Sequence, residues 1–331
     1  LDELPSTLDA TYERALQNIY EGHWEYAHRL FQCIAVASRP LRIEELAEVL
    51  AFRFEAGGAP TLMADWRPEN PGHAVLSICS SLIAIVTVDG SQVVQFSHFS
   101  VQEFLMSSRL SSGSVPRYYI SLEPAHTILA QACLSVLLQL DNHISRRHIK
   151  EYPLALYAAQ HWVDHAKFEN VSSRVESFMQ NLFDKNRPHF VAWIWLYDID
   201  RRVFKSMRWL TPIQPNGSPI YYATLWDLPG MIEWLVASRS HDVNGKGGYY
   251  GTPLCAAAAQ GHLKAAQALV KCGAHVNTAG GRDRSPLHWA SDSGRLNISR
   301  LLLDLGADIN LRDSSGQAPL SLALEKDHPE I

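Results

Sequence analysis

Along residues 285–310, SPLHWASDSGRLNISRLLLDLGADIN, the apolar positions Leu287, Ala290, Ile298, Leu301 and Leu302 recur at helical spacing. The pattern is broken once, at Gly294, and predicts two short amphipathic helices joined by a glycine turn. Helices of this size cannot bury their apolar faces alone and need stacked copies. Copies are present. TPLCAAAAQGHLKAAQALVKCGAHVN fills 252–277, and APLSLALEKD begins another. Pro253, Pro286 and Pro319 follow one another at 33 residues. Pro219, in SPIYYATLWDLPGMIEWLVASRSHDVN, precedes Pro253 by 34. GA(D/H)(V/I)N closes two of the copies.

Upstream the periodicity is irregular. Leu8, Tyr12, Ala15, Leu16 and Ile19 share one face of a helix. WEYAHRLFQCIAVA is an apolar helix stopped by Ser38-Arg39-Pro40, because proline disfavours helix in the residue before it. LRIEELAEVLAF is a second helix. A polar, Gly- and Pro-rich loop from about 55 to 72 separates it from a third, HAVLSICSSL. LIAIVTV and SQVVQFS flank Asp89-Gly90, a strong hairpin signal. HFSVQEFLMSS returns to helix, with Ser100 and Glu103 at capping-box spacing. Three helices followed by a two-stranded wing is the order of a winged-helix domain. PAHTILAQACLSVLLQL, PLALYAAQHWVDHAKF and VESFMQNLF then predict helices, and TPIQPNGSP at 211–219 marks the start of the repeats. Six of the nine tryptophans fall between Trp162 and Trp234. Trp193, Trp195 and Trp209 are expected to cover Trp226 and Trp234 of the first repeat, which lacks a polar outer face.

The repeats resemble the ankyrin repeat, with its T-P-L-H-x-A signature and period of about 33 residues. LPSTLDATYERAL, SRPLRIEELAEVLAF and FSHFSVQEFL resemble the region just after the NACHT module in fungal NACHT–ankyrin proteins of the STAND NTPase class. AHTILAQACLSVLL and YAAQHWVDHA are similar, more loosely, to the helical spacer of the same family, and GGYYGTPLCAAAAQGH to its fungal arrays. The resemblance implies a mainly α chain in parts: a helical link at 1–23, a winged-helix domain with a small β hairpin at 24–112, a helical spacer at 113–212, and an ankyrin solenoid at 213–331. It also implies a switch. An upstream NTPase changes state, the winged helix packs on it, and the repeats sense a ligand or restrain the switch.

Composition changes this picture little. Net charge is −5, so no global field draws the chain to nucleic acid or anionic lipid. No apolar run approaches the ~20 residues of a membrane helix. The first residues lack a signal-peptide core and an initiator Met, and the chain is expected to be the middle of a longer cytoplasmic protein. The five cysteines are scattered without a CxxC, which suggests free thiols in a reducing compartment.

Chemistry is sparse. Gly245-Lys246-Gly247-Gly248 lacks the Ser/Thr of a phosphate loop. His161 and His165 stand four apart without an HExxH, and His143 and His148 lie beside Arg146, Arg147 and Lys150. Ser100 near His98 reads as capping. No catalytic residue, metal or cofactor is expected. The third winged-helix segment carries no Lys or Arg and the wing tip is acidic, so DNA contact is disfavoured. A protein partner on the ankyrin concave face is expected through Tyr249, Tyr250, Gln260, Arg282, Arg284, Asp292, Arg312 and Ser315. Arg282, Arg284 and Arg312 suggest an acidic partner, with Arg284 the central anchor and dispensable for the fold. Two other readings stay open at this stage: a stand-alone ankyrin scaffold or degradation adaptor, and a winged-helix DNA-binding regulator.

Overall fold

Proline and glycine placement dictates much of the architecture, since each fixes where a helix can begin or end. The computed structural model describes residues 8–54, 60–63, 68–141, 143–145, 147–184, 186–200, 215–238 and 242–331. The chain divides into two compact units, Leu1–Leu182 and Phe183–Ile331. Several positions named above lie outside the described residues: 4–7, parts of the loop at 55–72, Arg146, Trp209 and 211–214. The chain is mainly helical, with a winged-helix domain and ankyrin repeats.

The first unit runs α1 (Leu8–Gln17), α2 (Trp24–Val36), β1 (Leu41–Arg42), α3 (Ile43–Leu50), β2 (Phe52–Arg53), β3 (Thr61–Leu62), α4 (Pro71–Cys79), β4 (Ile83–Val88), β5 (Ser91–Phe96), α5 (Phe99–Leu105), α6 (Ser108–Ser111), α7 (Leu122–Leu137), α8 (Ala155–Ala166), α9 (Val171–Arg174) and α10 (Glu176–Phe183). The last residue of α10 opens the second unit. The wing forms where Asp89-Gly90 allows it. Both residues take positive φ, 49° and 77°, and Val88 faces Ser91 across a two-residue turn. β1 pairs with β5 antiparallel, Leu41 opposite Val94, giving a sheet of order β1-β5-β4. Asn70 caps α4 by accepting from the His73 N–H at 3.0 Å, with Pro71 in the first turn. The cap of α5 is His98, not Ser100. The imidazole Nδ1 accepts from the Ser100 N–H at 3.3 Å, and the Ser100 hydroxyl bridges Nδ1 and the Tyr12 hydroxyl at 2.6 and 2.7 Å.

Helices α7 and α8 pack on the winged helix through polar groups that no periodicity announces. Glu45 in α3 is fully buried. It accepts from the Arg42 N–H at 2.8 Å and from the Arg39 guanidinium at 2.7 and 2.8 Å. Burial pushes its carboxyl up, but the Arg39 and Arg42 bonds outweigh it and hold the pKa below the usual value. The Arg39 guanidinium lies 4.9 Å from the Tyr157 ring centre in α8. Glu48 accepts from the buried Leu154 N–H at 2.6 Å.

A chain of hydrogen bonds completes this packing. The Ser38 N–H donates to the Tyr157 hydroxyl at 3.1 Å. That hydroxyl also bonds His165 Nε2 at 2.8 Å and the Ser38 side chain. On its other side His165 Nδ1 stands 3.0 Å from His126 Nδ1, so one of the two rings donates to the other.

The second unit holds α11 (His189–Leu196), α12 (Pro219–Leu225), α13 (Pro229–Ala237), α14 (Pro253–Gln260), α15 (Leu263–Lys271), α16 (Pro286–Asp292), α17 (Leu296–Asp304) and α18 (Pro319–Glu325). Each phased proline opens the first helix of a repeat. Ser218, Thr252 and Ser285 cap those helices by accepting from the N–H three residues on. The turn to the second helix uses a left-handed residue each time: Asp227, Gly261, Gly294 and Asp327, at φ 49° to 85°. The following N–H then returns to a buried alanine carbonyl: Leu228 to Ala223, His262 to Ala257, Arg295 to Ala290 and His328 to Ala323, at 2.8 to 3.1 Å. Two of the Asn residues that close these strings stitch one copy to the next. Asn244 Oδ1 accepts from the His275 N–H and its amide donates to the Gly273 carbonyl; Asn277 does the same with Asp308 and Gly306. At the start of the array Trp193 stacks with Trp226 at 6.4 Å, and Phe190 meets Tyr222 edge-on at 5.6 Å. Trp195 and Trp234 are half-buried.

Candidate functional site

The fingers between repeats are closed by one recurring bond. Gly247, Gly280 and Asp313 each donate their N–H to the carbonyl four residues on: Gly251, Arg284 and Gln317. Neighbouring fingers are joined through Gly281 N–H to the Tyr250 carbonyl at 2.9 Å and Ser314 N–H to the Arg282 carbonyl at 3.1 Å. The approach is so close that a Cβ on Gly251 would stand 2.1 Å from Gly281 N. This explains the glycines around Tyr249-Tyr250. At 33-residue spacing Tyr249, Arg282 and Ser315 occupy equivalent positions on three successive fingers.

The structure brings several expected site residues together. Tyr249 and Tyr250 pack edge-on at 5.0 Å, and both rings meet Trp289 of α16, at 5.9 and 5.0 Å. Gln260 Nε2 donates to the Tyr250 hydroxyl at 2.8 Å, leaving the phenolic proton free to donate elsewhere. Burial, then the charges of Asp200 and Tyr249, raises the Tyr250 pKa, so the phenol stays protonated. The Tyr249 N–H donates to Asp200 at 2.8 Å, and Asp200 also accepts from the Tyr221 hydroxyl at 2.7 Å. The Arg282 guanidinium lies 6.0 Å from the Tyr249 ring centre. Arg282 and Asp283 both hold positive φ, 61° and 53°, uncommon for residues with a side chain. Arg282 and Ser315 are exposed. Arg312 is exposed and donates to the Gly316 carbonyl of its own finger at 2.9 Å.

Arg284 belongs elsewhere. It is 8 % exposed. Its Nε donates to Asp313 at 3.1 Å, its Nη1 pairs with Asp292 at 3.4 Å, and its guanidinium lies 5.1 Å from the Trp289 ring centre. Asp313 also accepts from the Ser315 and Gln317 N–H groups at 2.9 and 3.0 Å. Burial pushes the Asp313 carboxyl up, yet those two N–H groups and Arg284 together hold it below the usual range. Arg284 is therefore an internal tie, to Asp313 of the next finger and to Asp292 at the end of α16, and the expectation that the fold tolerates its loss is corrected. Sequence reasoning missed Trp289 and Asp313. Trp289 could have been found from SPLHWA, where the equivalent residue in the preceding copy is Ala256.

His288 takes the place expected for the TPLH histidine. Nδ1 accepts from the Ser285 N–H at 3.1 Å, so Nε2 donates to the Gln317 carbonyl at 3.0 Å. His161 pairs with Asp164 at 3.0 Å, whereas His165 is buried in the bonded chain described above. Among the described residues no group of three His, Cys, Asp or Glu side chains could hold a metal ion. No helix among them is long and apolar enough to cross a membrane. All five cysteines are free, and burial pushes the Cys33 and Cys255 thiols up to about 12. Helix α4 exposes His73 and Ser77.

Comparison with known proteins agrees with this architecture. Residues 220–313 match the ankyrin-repeat family in three copies. Residues 13–114 match the family described as GPI inositol-deacylase, winged helix domain. Azaphilone pigments biosynthesis cluster protein L of Monascus ruber is 35% identical over 292 residues, which cover 83% of this chain and 61% of that relative. The chain thus spans about three fifths of the length of the curated relative it matches. Ankyrin repeats generally mediate protein–protein interaction, and neither matched fold is catalytic.

Proposed function

We propose that this chain is the non-catalytic regulatory and protein-interaction segment of a NACHT–ankyrin protein of the STAND class, working in the cytoplasm. One observation carries the reading: a winged helix of a NACHT-associated type and an ankyrin array stand in a single chain. The winged helix packs on an upstream NTPase module, and the array binds a protein partner on its finger and concave face. One feature supports a protein role for the winged helix. Pro71–Cys79 contains no lysine or arginine, and duplex binding depends on cations that neutralise phosphate. The test is the transcript upstream of the Leu1 codon. An in-frame GxxxxGK[ST] between a strand and a helix is expected there. An open reading frame that runs to its start codon without one would return the chain to the ankyrin-scaffold class.

A further inference from the structure

Arg282, at the tip of its finger, is a cation that the fold does not use. Arg284 is saturated by Asp292 and Asp313. Arg282 is exposed, and among the described residues no carboxylate lies within ion-pair distance of it. Its backbone is held in a left-handed conformation by the finger bonds, which fixes where the side chain leaves the finger. It lies against Tyr249, whose ring is fixed in turn by Tyr250 and Trp289. Tyr250 has a hydroxyl proton to give, because Gln260 already supplies its incoming bond. Ser315 adds a hydroxyl at the equivalent place on the next finger. Rings immobilised this way offer contact area at small entropic cost, and a lone guanidinium beside them suits a single planar carboxylate.

We propose that Tyr249, Tyr250, Arg282 and Ser315, floored by Trp289, form a docking strip for an extended peptide segment that presents one acidic side chain flanked by apolar ones. This rests on the protein-binding reading of the array and names the chemistry of its partner. Arg282 takes the carboxylate through paired N–H donors. The flanking side chains lie on Tyr249 and Tyr250, and the Tyr250 hydroxyl donates to a peptide carbonyl. A nucleic acid fits less well. The strip has one unpaired guanidinium next to the exposed Asp283, whereas a phosphate backbone needs several cations in a row.

The experiment pans a random decapeptide display library over the immobilised chain, in parallel with its Arg282→Glu and Arg282→Gln variants. Circular dichroism checks that each variant keeps its helix. Against the native chain, selected pools should carry Asp and Glu about threefold above the starting library, next to apolar residues. Arg282→Gln should erase the acidic enrichment, and Arg282→Glu should turn it towards Lys and Arg. Pools enriched without carboxylates, or unchanged by Arg282→Glu, would overturn the strip and leave a protein-binding array intact. Recovery of no peptide would also overturn it, as would tighter binding of a random single-stranded RNA than of the selected peptides. The identity of the upstream module is read separately, from the transcript.

Discussion

The two units solve the same problem of burying polar groups in opposite ways. In the second, the same polar ties recur from copy to copy. The left-handed turn and the return bond to alanine reappear in all four copies, the Ser/Thr cap in three and the Asn stitch at two junctions. In the first, each polar tie occurs once: Glu45 to Arg39 and Arg42, Glu48 to the Leu154 N–H, His165 between Tyr157 and His126. Repetition distributes stability over nearest-neighbour contacts, while single ties concentrate it. A substitution should therefore act locally in the second unit unless it touches a buried charge.

Arg284→Ala is the sharpest way to break that contrast, because it places a concentrated tie inside the repetitive unit. It leaves Asp313 buried and without its guanidinium, and should destabilise the repeats by about 3 kcal/mol. Hydrogen exchange should speed up in α16 and α18 and stay unchanged in α3. A loss under about 1 kcal/mol would mean the ion pair acts as a surface bridge.

Acid should separate the units next. His165 is fully buried, and burial first, then the neighbouring His126, depresses its pKa to about 3. The unfolded histidine takes up its proton near pH 6.5 and the folded one does not, so stability is full above pH 6.5. It is lost progressively as pH falls towards 3. Groups facing the imidazole are His161 and Asp164 on α8 and His126 on α7. His126 and His28 are also depressed by burial and add to the same slope. The second unit has His288, lowered by burial against its bond to Gln317. The first unit should lose about 3 kcal/mol by pH 4.5, before carboxylates contribute. A flat profile for α7 and α8 amides between pH 6.5 and 4.5 would contradict the bonded chain.

Glu45→Ala follows. Its two arginine partners are about a third exposed and can be rehydrated, so the cost should be about 2 kcal/mol, less than for Arg284. Exchange in α3 reports it. Smallest is Asn277→Ala. Two exposed bonds are lost, and about 1 kcal/mol should disappear from the junction of adjacent repeats, with the neighbouring Asn244 junction unaffected. Melting of the array by circular dichroism would show it.

These differences also decide what the sequence could reveal. The phased prolines and Gly261 and Gly294 act locally, so the repeat helices and their turns were readable from spacing. Asp89-Gly90 announced the wing for the same reason. Glu45 and Glu48 sit in LRIEELAEVL, where a helical pattern assigns glutamates to solvent. Their partners, Arg39 and the Leu154 N–H, come from a preceding loop and from a residue more than a hundred positions away. Arg284 misled for a related reason. Its exposure is decided by Asp313 on the next finger, which periodicity within one repeat cannot place. Tyr249 and Tyr250 were legible as finger residues, but their joining to Trp289 needed three dimensions.

The Asn stitch has a consequence for ancestry. Asn244 and Asn277 each satisfy the backbone of whatever module follows, and neither reads its side chains. A gene segment encoding one period can be duplicated or deleted in frame, and the flanking modules find the same bonds waiting. Array length can thus drift between lineages in whole modules, while the first unit, whose ties each have a single address, must be inherited entire.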